Sequence, residues 1–326
     1  MVLAPLAKPK LLVLLGPTAV GKTKLSLEIA QKFGCEIISG DSMQVYRGMD
    51  IGTAKASEAE QKLVPHHLID IHDPSYPFSA AEFQERVKNL IADIHARGKL
   101  PFIVGGTGLY IESVCYNYQF TDVSMDEAFR HEQEAFASLH GDEALHQKLR
   151  IIDPESADRL HANDRRRVIR ALEIAHVSGQ TMSEHLAVQK KESPYELCIV
   201  GLTMDRALLY KRIEERIDAM MAEGLVEEVQ TILDAGCPKQ AISMQALGYK
   251  EILSYLEGEL TLEEAVILLK RDTRRFAKRQ LSWFRHMKDI QWMDVTDSTN
   301  FSAHFQMISD IIAGKFVHKI EYNQQQ

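Results

Sequence analysis

Cysteine is scarce in this chain and scattered: Cys35, Cys115, Cys198 and Cys237 include no CxxC pair. Such spacing builds neither a zinc ribbon nor a disulfide framework, so the thiols read as small core residues. Long apolar runs are also missing, which excludes a membrane-spanning helix. Lysines at Lys8 and Lys10 precede the apolar run Leu11–Leu15 in the manner of a signal peptide, but five residues are too few for a signal core and they lead directly into a glycine loop. That start reads as a buried strand of a cytoplasmic protein without membrane association. No internal repeat is present. An excess of positive charge is lacking too: the formal net charge is -8, which taken alone argues against a polyanionic partner.

The average hides an uneven distribution. Between Lys270 and Lys288 lie eight basic residues against one acid, Asp272, whereas residues 205 to 264 hold thirteen acids and six bases. A basic patch on an acidic body suits a steered nucleic-acid site. At 326 residues the chain has room for two packed units, or for one core carrying an insertion. Short apolar runs at Leu11–Leu15, Glu36–Ser39 and Phe102–Val104 alternate with helical stretches and end at glycine or a small polar residue. This is the pattern of an α/β fold with a doubly wound parallel sheet. In such sheets ligands collect beyond the carboxyl ends of the strands, where Gly16, Asp41 and Gly105-Gly106-Thr107 would emerge together. From Asn117 to Pro194 strand signals fade into polar helical patterns, as in a helical insertion. Cys198–Leu202 is a further apolar run, and Leu209, Ile213, Ile217, Met220, Leu225, Val229 and Leu233 then mark a long amphipathic helix with a break expected at Gly224.

The strongest motif is Gly16, Pro17, Thr18, Ala19, Val20, Gly21, Lys22, Thr23, which fits G-x-x-x-x-G-K-[ST] between a strand and a helix. Glycines let backbone N–H groups curl around a phosphate, the lysine neutralises it and the hydroxyl holds magnesium. The loop specifies phosphate without saying which. A motor ATPase would add an acid at the end of a later strand, yet Phe102–Val104 runs into glycines and only Asp70 and Asp73 could substitute. Asp41 closes the second strand beside the cradle, where it is either a proton acceptor or a turn-capping residue. His66, His67 and His72 with Asp70 and Asp73 lack the i,i+4 histidine pair of a helical metal site. Arg165, Arg166, Arg167 and Arg170 follow a cap at Asn163-Asp164 and form either a solvated basic face or an RNA contact. Arg212 and Arg216 stand one helical turn apart.

Several long stretches together closely resemble the bacterial tRNA dimethylallyltransferase family, also called tRNA isopentenyltransferase: GPTAVGKT (16 to 23), DSMQVYRGMDIGTAK (41 to 55), PHHLIDIHDP (65 to 74), GGTGLY (105 to 110), HANDRRRVIRALE (161 to 173), RIEERIDAMMAEGL (212 to 225), ALGYKE (246 to 251) and AKRQLSWFR (277 to 285). The zinc finger of eukaryotic relatives is absent. The resemblance implies a P-loop NTPase-like parallel sheet flanked by helices, with residues 1–116 and 198–326 as catalytic core and 117–197 as a helical insertion on the anticodon stem. It implies transfer of the dimethylallyl group of dimethylallyl diphosphate to N6 of the adenosine 3′-adjacent to the anticodon, with release of diphosphate, by a cytoplasmic monomer that uses Mg2+. Gly16 to Thr23 would hold the donor's diphosphate, Thr23 and Arg216 would neutralise the leaving group, and Thr23 would hold the metal with Asp41 reaching it through water. Asp41 would accept the N6 proton. Contacts with tRNA would come from Asp41, Ser42, Met43, Gln44, Thr107, Arg130, Arg165, Arg166, Arg167, Arg170, Gln245, Gly248, Tyr249, Lys250, Lys278, Arg279 and Gln280.

Three other readings share these motifs. An isopentenyltransferase acting on free adenine nucleotides would need neither the helical insertion nor the basic C-terminal helix. In a small-molecule kinase ATP would fill the loop and Asp41 would activate a hydroxyl. In an RNA-binding protein without transfer activity Asp41 would be dispensable.

Overall fold

The computed structural model describes residues 7–121, 123, 125–190 and 192–316. The chain divides into two compact units, one made of Asn117–Glu192 and the other of the chain on either side of it.

The larger unit is built on six strands: β1 (Lys10–Leu15), β2 (Cys35–Gly40), β3 (His66–His67), β4 (Leu100–Gly105), β5 (Glu196–Thr203) and β6 (Ile290–Asp294). All neighbours pair in parallel, in the order β3-β2-β4-β1-β5-β6. Parallel strands must be joined by crossovers that cover both faces of the sheet. That is why β1, KLLVLL, needs no alternation and is buried from Leu11 to Leu15. β3 and β6 were not read from the sequence: β3 is two half-buried histidines, and β6, IQWMD, is largely exposed. In register, Leu15 lies beside Gly105 and Gly105 beside Gly40. The chain leaves β1, β2 and β4 side by side, and the loops beginning at Gly16, Asp41 and Gly106 share one edge of the sheet.

Beyond β5 the expected long helix is two helices, Arg206–Ala222 and Leu225–Asp234, interrupted at Gly224 with φ 102°. The first buries Leu209, Ile213 and Ile217, one turn apart. The helix Leu262–Phe284 opens with a capping box, Thr261 Oγ1 accepting from the Glu264 N–H while the Glu264 carboxylate accepts from the Thr261 N–H. It buries Ala277, Gln280 and Phe284 on one face.

The smaller unit is helical, with its own core of Ala137, Leu145, Leu149, Val168 and Leu172. Its helices are punctuated by local chemistry. Asp126 caps Glu127–His140, Asp153 caps the short helix that starts at Pro154, and Gly179 ends Arg165–Ser178 in the left-handed region. No helix among the described residues is long and apolar enough to cross a membrane.

Candidate active site

β1 runs out at Leu15, and the loop from Gly16 to Gly21 delivers the chain to the N-terminus of the helix Lys22–Phe33. Gly21 takes φ 103°, which a side chain would resist, and Ala19 sits at φ 63°. The first-turn N–H groups of that helix have no intrahelical partner, and the helix dipole adds positive potential there, so an anion is favoured. The Lys22 ammonium donates to the Gly16 and Pro17 carbonyls at 2.9 and 2.8 Å. Burial pulls its pKa down to about 7, the Arg216 charge acting in the same direction and Asp41 opposing it.

A cavity of about 520 Å³ is lined by Thr18, Lys22, Thr23, Asp41, Arg212 and Arg216. A second, of about 330 Å³, shares Thr18, Asp41, Thr53, Arg216 and Phe276 with it, and its other walls include Ile213, Ile217, Met220 and Leu269 together with Gln245–Gly248. Asp41 therefore borders both a chamber lined by Lys22, Arg212 and Arg216 and one with an apolar wall of Ile213, Ile217, Met220 and Leu269. Its Oδ1 accepts the Met43 N–H at 2.8 Å, so it caps the turn after β2 while facing the cavities. Burial raises its pKa above the ordinary carboxylate value, and the Met43 N–H, Lys22 and Arg216 only partly offset this. A carboxylate with that environment is a better base than an exposed aspartate. The Arg216 guanidinium donates to Thr18 Oγ1 at 3.3 Å, fixing one cation on the phosphate loop.

The residues after Asp41 form one hydrogen-bonded wall. The Ser42 N–H donates to Thr107 Oγ1 at 3.2 Å, Ser39 Oγ donates to Gln44 Oε1 at 2.8 Å, and Gln44 Nε2 donates to the Thr53 carbonyl at 3.3 Å. Thr53 belongs to a loop held from the opposite side, because the Glu228 carboxylate accepts the N–H groups of Asp50, Ile51 and Gly52 and the Tyr249 hydroxyl. Gly248 and Lys250 line the second cavity with Met43.

The basic candidates separate into engaged and open groups. In the helical unit Arg130 makes a two-pronged pair with Glu173 at 2.8 and 2.7 Å, and Arg170 meets the same carboxylate at 2.5 Å. Burial alone would raise the Glu173 pKa; hydrogen bonds from Arg130, Arg170 and the Asp126 N–H outweigh it and hold the group at about 2. Arg165 pairs with Asp142 at 2.6 Å and with Glu134 at 3.3 Å. Arg166 and Arg167 are exposed, and Arg167 reaches only Asp164, at 3.3 Å. On the helix Leu262–Phe284, Arg274 is bound to Glu214 at 2.5 Å while Lys278 and Arg279 are exposed, Arg279 also lying over the Phe276 ring at the edge of the second cavity. Gln280 on the same turn is 6% exposed and points inward.

Reading by motif left three residues without their present roles. Arg212 lines the cationic cavity, and its position one turn before Arg216 was the available signal. Glu228 and the inward Gln280 act across more than one hundred residues of sequence, where no local pattern can reveal them.

The model of the family described as IPP transferase matches residues 44–287. This chain belongs to the IPP transferase family. A tRNA dimethylallyltransferase of Bacillus licheniformis is 55% identical over 308 residues, spanning 94% of this chain and 98% of the relative. The crystal structure of the full-length tRNA isopentenylpyrophosphate transferase of Bacillus halodurans superposes with a TM-score of 0.74 at 50% identity, covering 97% of this chain and all of that one. A eukaryotic dimethylallyltransferase described as acting on tRNA gives a TM-score of 0.80 at 31% identity over 95% of this chain and 80% of its own. The α/β fold with its phosphate loop is thus that of an IPP transferase.

Proposed function

We infer that this protein is a tRNA dimethylallyltransferase, joining C1 of dimethylallyl diphosphate to N6 of the adenosine 3′-adjacent to the anticodon. The observation that carries this reading is the position of Asp41 in the lining of two cavities, one with Lys22, Arg212 and Arg216 and the other with an apolar wall of Ile213, Ile217, Met220 and Leu269. The first suits a diphosphate; the second suits a prenyl chain meeting a purine ring.

In this reading the bond between C1 and the bridging oxygen breaks as charge develops on the diphosphate, and the loop N–H groups, Lys22, Thr23 and Arg216 stabilise that charge. The N6 lone pair forms the new bond to C1, and Asp41 takes the N6 proton, restoring a neutral amine. Extrusion of the base from its stack costs a few kcal/mol, least in a loop. A divalent metal fits the donor set: no cluster of three or more His, Cys, Asp or Glu among the described residues could hold an ion, but Mg2+ bound beside phosphate needs only one or two protein groups. The Thr23 hydroxyl would hold it, with Asp41 reaching it through water, and the bound ion would further neutralise the leaving diphosphate. Exposed Arg166, Arg167, Lys278 and Arg279 are the favoured phosphate contacts to tRNA. Arg130, Arg165 and Arg170 would shape the basic face around Arg166 and Arg167 from within, through their carboxylate partners. Action as a monomer in the cytoplasm belongs to the same reading.

The experiment is incubation of the purified protein with dimethylallyl diphosphate, Mg2+ and unmodified tRNA, followed by nucleoside mass spectrometry. N6-dimethylallyladenosine in the digest is expected. Modification of free adenine nucleotides in preference to tRNA, or donor-independent ATP hydrolysis, would overturn the reading.

A further inference from the structure

The helix Leu262–Phe284 carries exposed Lys278 and Arg279 on one side and buries Gln280 on the other. Both ends of the Gln280 amide are engaged, and with the two loops that matter most. Its Oε1 accepts the N–H of Thr18, inside the phosphate loop, at 2.9 Å. Its Nε2 donates to the carbonyl of Gly106, just past β4, at 2.9 Å. The fit leaves no slack: a Cβ added to Gly106 would lie 2.3 Å from Gln280 Nε2. Thr18 is in turn the residue whose hydroxyl receives Arg216.

We propose that Gln280 is the positioning residue of the donor site, its amide holding the phosphate loop against the end of β4 so that Thr18 and Arg216 are set before diphosphate arrives. This rests on the functional reading above and deepens it. Glutamine suits the task because one planar group offers an acceptor and a donor side by side, matching one N–H and one carbonyl. Neither glutamate, which cannot donate to Gly106, nor methionine, which does neither, can replace it. A loop N–H that loses a buried acceptor is left to reorient, and a phosphate cradle made of backbone N–H groups depends on fixed orientation. Gln280 thus serves the diphosphate although it stands beside Lys278 and Arg279, which serve RNA.

The test uses Gln280→Met, which keeps side-chain length and packing, together with Gly106→Ala, which displaces the amide while Gln280 remains. For each variant, the double variant and wild type, inorganic diphosphate binding with Mg2+, tRNA binding, steady-state parameters for donor and tRNA, and thermal melting are measured. Either single change should raise the dissociation constant of diphosphate and the donor KM about tenfold, with tRNA affinity within about twofold. The double variant should be no worse than the poorer single one, because both break the same contact. Donor parameters at wild-type levels in Gln280→Met, or a loss confined to tRNA affinity, would overturn the proposal, as would full additivity in the double variant. If Gln280→Met does not fold, Gly106→Ala alone decides by the same donor and tRNA criteria. Failure of wild type to transfer dimethylallyl to tRNA would instead reject the functional reading, while diphosphate binding would still judge Gln280.

Discussion

Burial pulls the Lys22 pKa down to about 7, and this has a consequence for donor binding. A diphosphate places negative charge beside the ammonium and should return its pKa towards the ordinary lysine range of about 10. Binding then takes up a proton wherever the free group is neutral and the bound group charged, so affinity falls as pH rises above about 7. With the free pKa at about 7, roughly half of Lys22 is charged at that pH, about one-tenth at one unit higher and about one-hundredth at two units higher. Intrinsic affinity should accordingly drop about fiftyfold over those two units. Diphosphate itself gains negative charge over the same interval, which by itself would strengthen binding, so the two effects have opposite signs. The assay is calorimetric titration with inorganic diphosphate and Mg2+ in buffers of different ionisation enthalpy. Near one unit above neutrality wild type should take up close to one proton more than Lys22→Arg, whose guanidinium stays charged throughout. Equal proton uptake by the two proteins would refute the argument and with it the depressed Lys22 pKa.

Arg212→Ala and Arg216→Ala should each weaken diphosphate binding and slow transfer about tenfold or more, with little change in the salt dependence of tRNA binding; an unaffected Arg212→Ala would remove that residue from the donor site. Replacing Arg166 and Arg167, or Lys278 and Arg279, by alanine should lower the slope of log tRNA affinity against log salt by about 1.4 to 1.8, and a salt titration that shows no change in either pair would reduce these residues to a solvated face. Glu173, held at about 2 by Arg130, Arg170 and the Asp126 N–H against the cost of burial, has a folded pKa below its unfolded value. Its stabilising contribution is therefore present above pH of about 4.5 and lost as pH falls towards about 2. Glu173→Gln should cost about 3–5 kcal/mol in chemical unfolding and flatten that acid dependence; an unaltered acid profile would contradict the pairing.

How much of this was legible beforehand follows the range of the interactions. The phosphate loop is a contiguous motif whose chemistry is local, and β1, β2, β4 and β5 announce themselves because strands buried on both faces carry short apolar runs, β2 doing so despite a buried Glu36 that pairs with His67 and Arg97. The break at Gly224 was legible for the same reason, a single residue with positive φ between two periodic segments. β6 was not, since its exposed Gln291 and Trp292 obey no buried pattern and its place comes from pairing with β5. Arg130, Arg165 and Arg170 look like phosphate ligands in sequence. The carboxylate partners of Arg130 and Arg165, namely Glu173, Asp142 and Glu134, reach them only through tertiary packing, whereas Arg170 meets Glu173 three residues further along its own helix, a pairing the sequence spacing allowed. Gln280 lies in a basic stretch and turns the other way because Ala277 and Phe284 fix the buried face of its helix.

The central claim is that Asp41 accepts a proton from the adenosine N6 while the loop beside it holds the leaving diphosphate. Single-turnover transfer by wild type and Asp41→Asn, with dimethylallyl diphosphate and tRNA both saturating, tests it most directly. The asparagine protein should bind both substrates near normally yet form N6-dimethylallyladenosine at least about 10²-fold more slowly. Turnover by Asp41→Asn at close to the wild-type rate would contradict it.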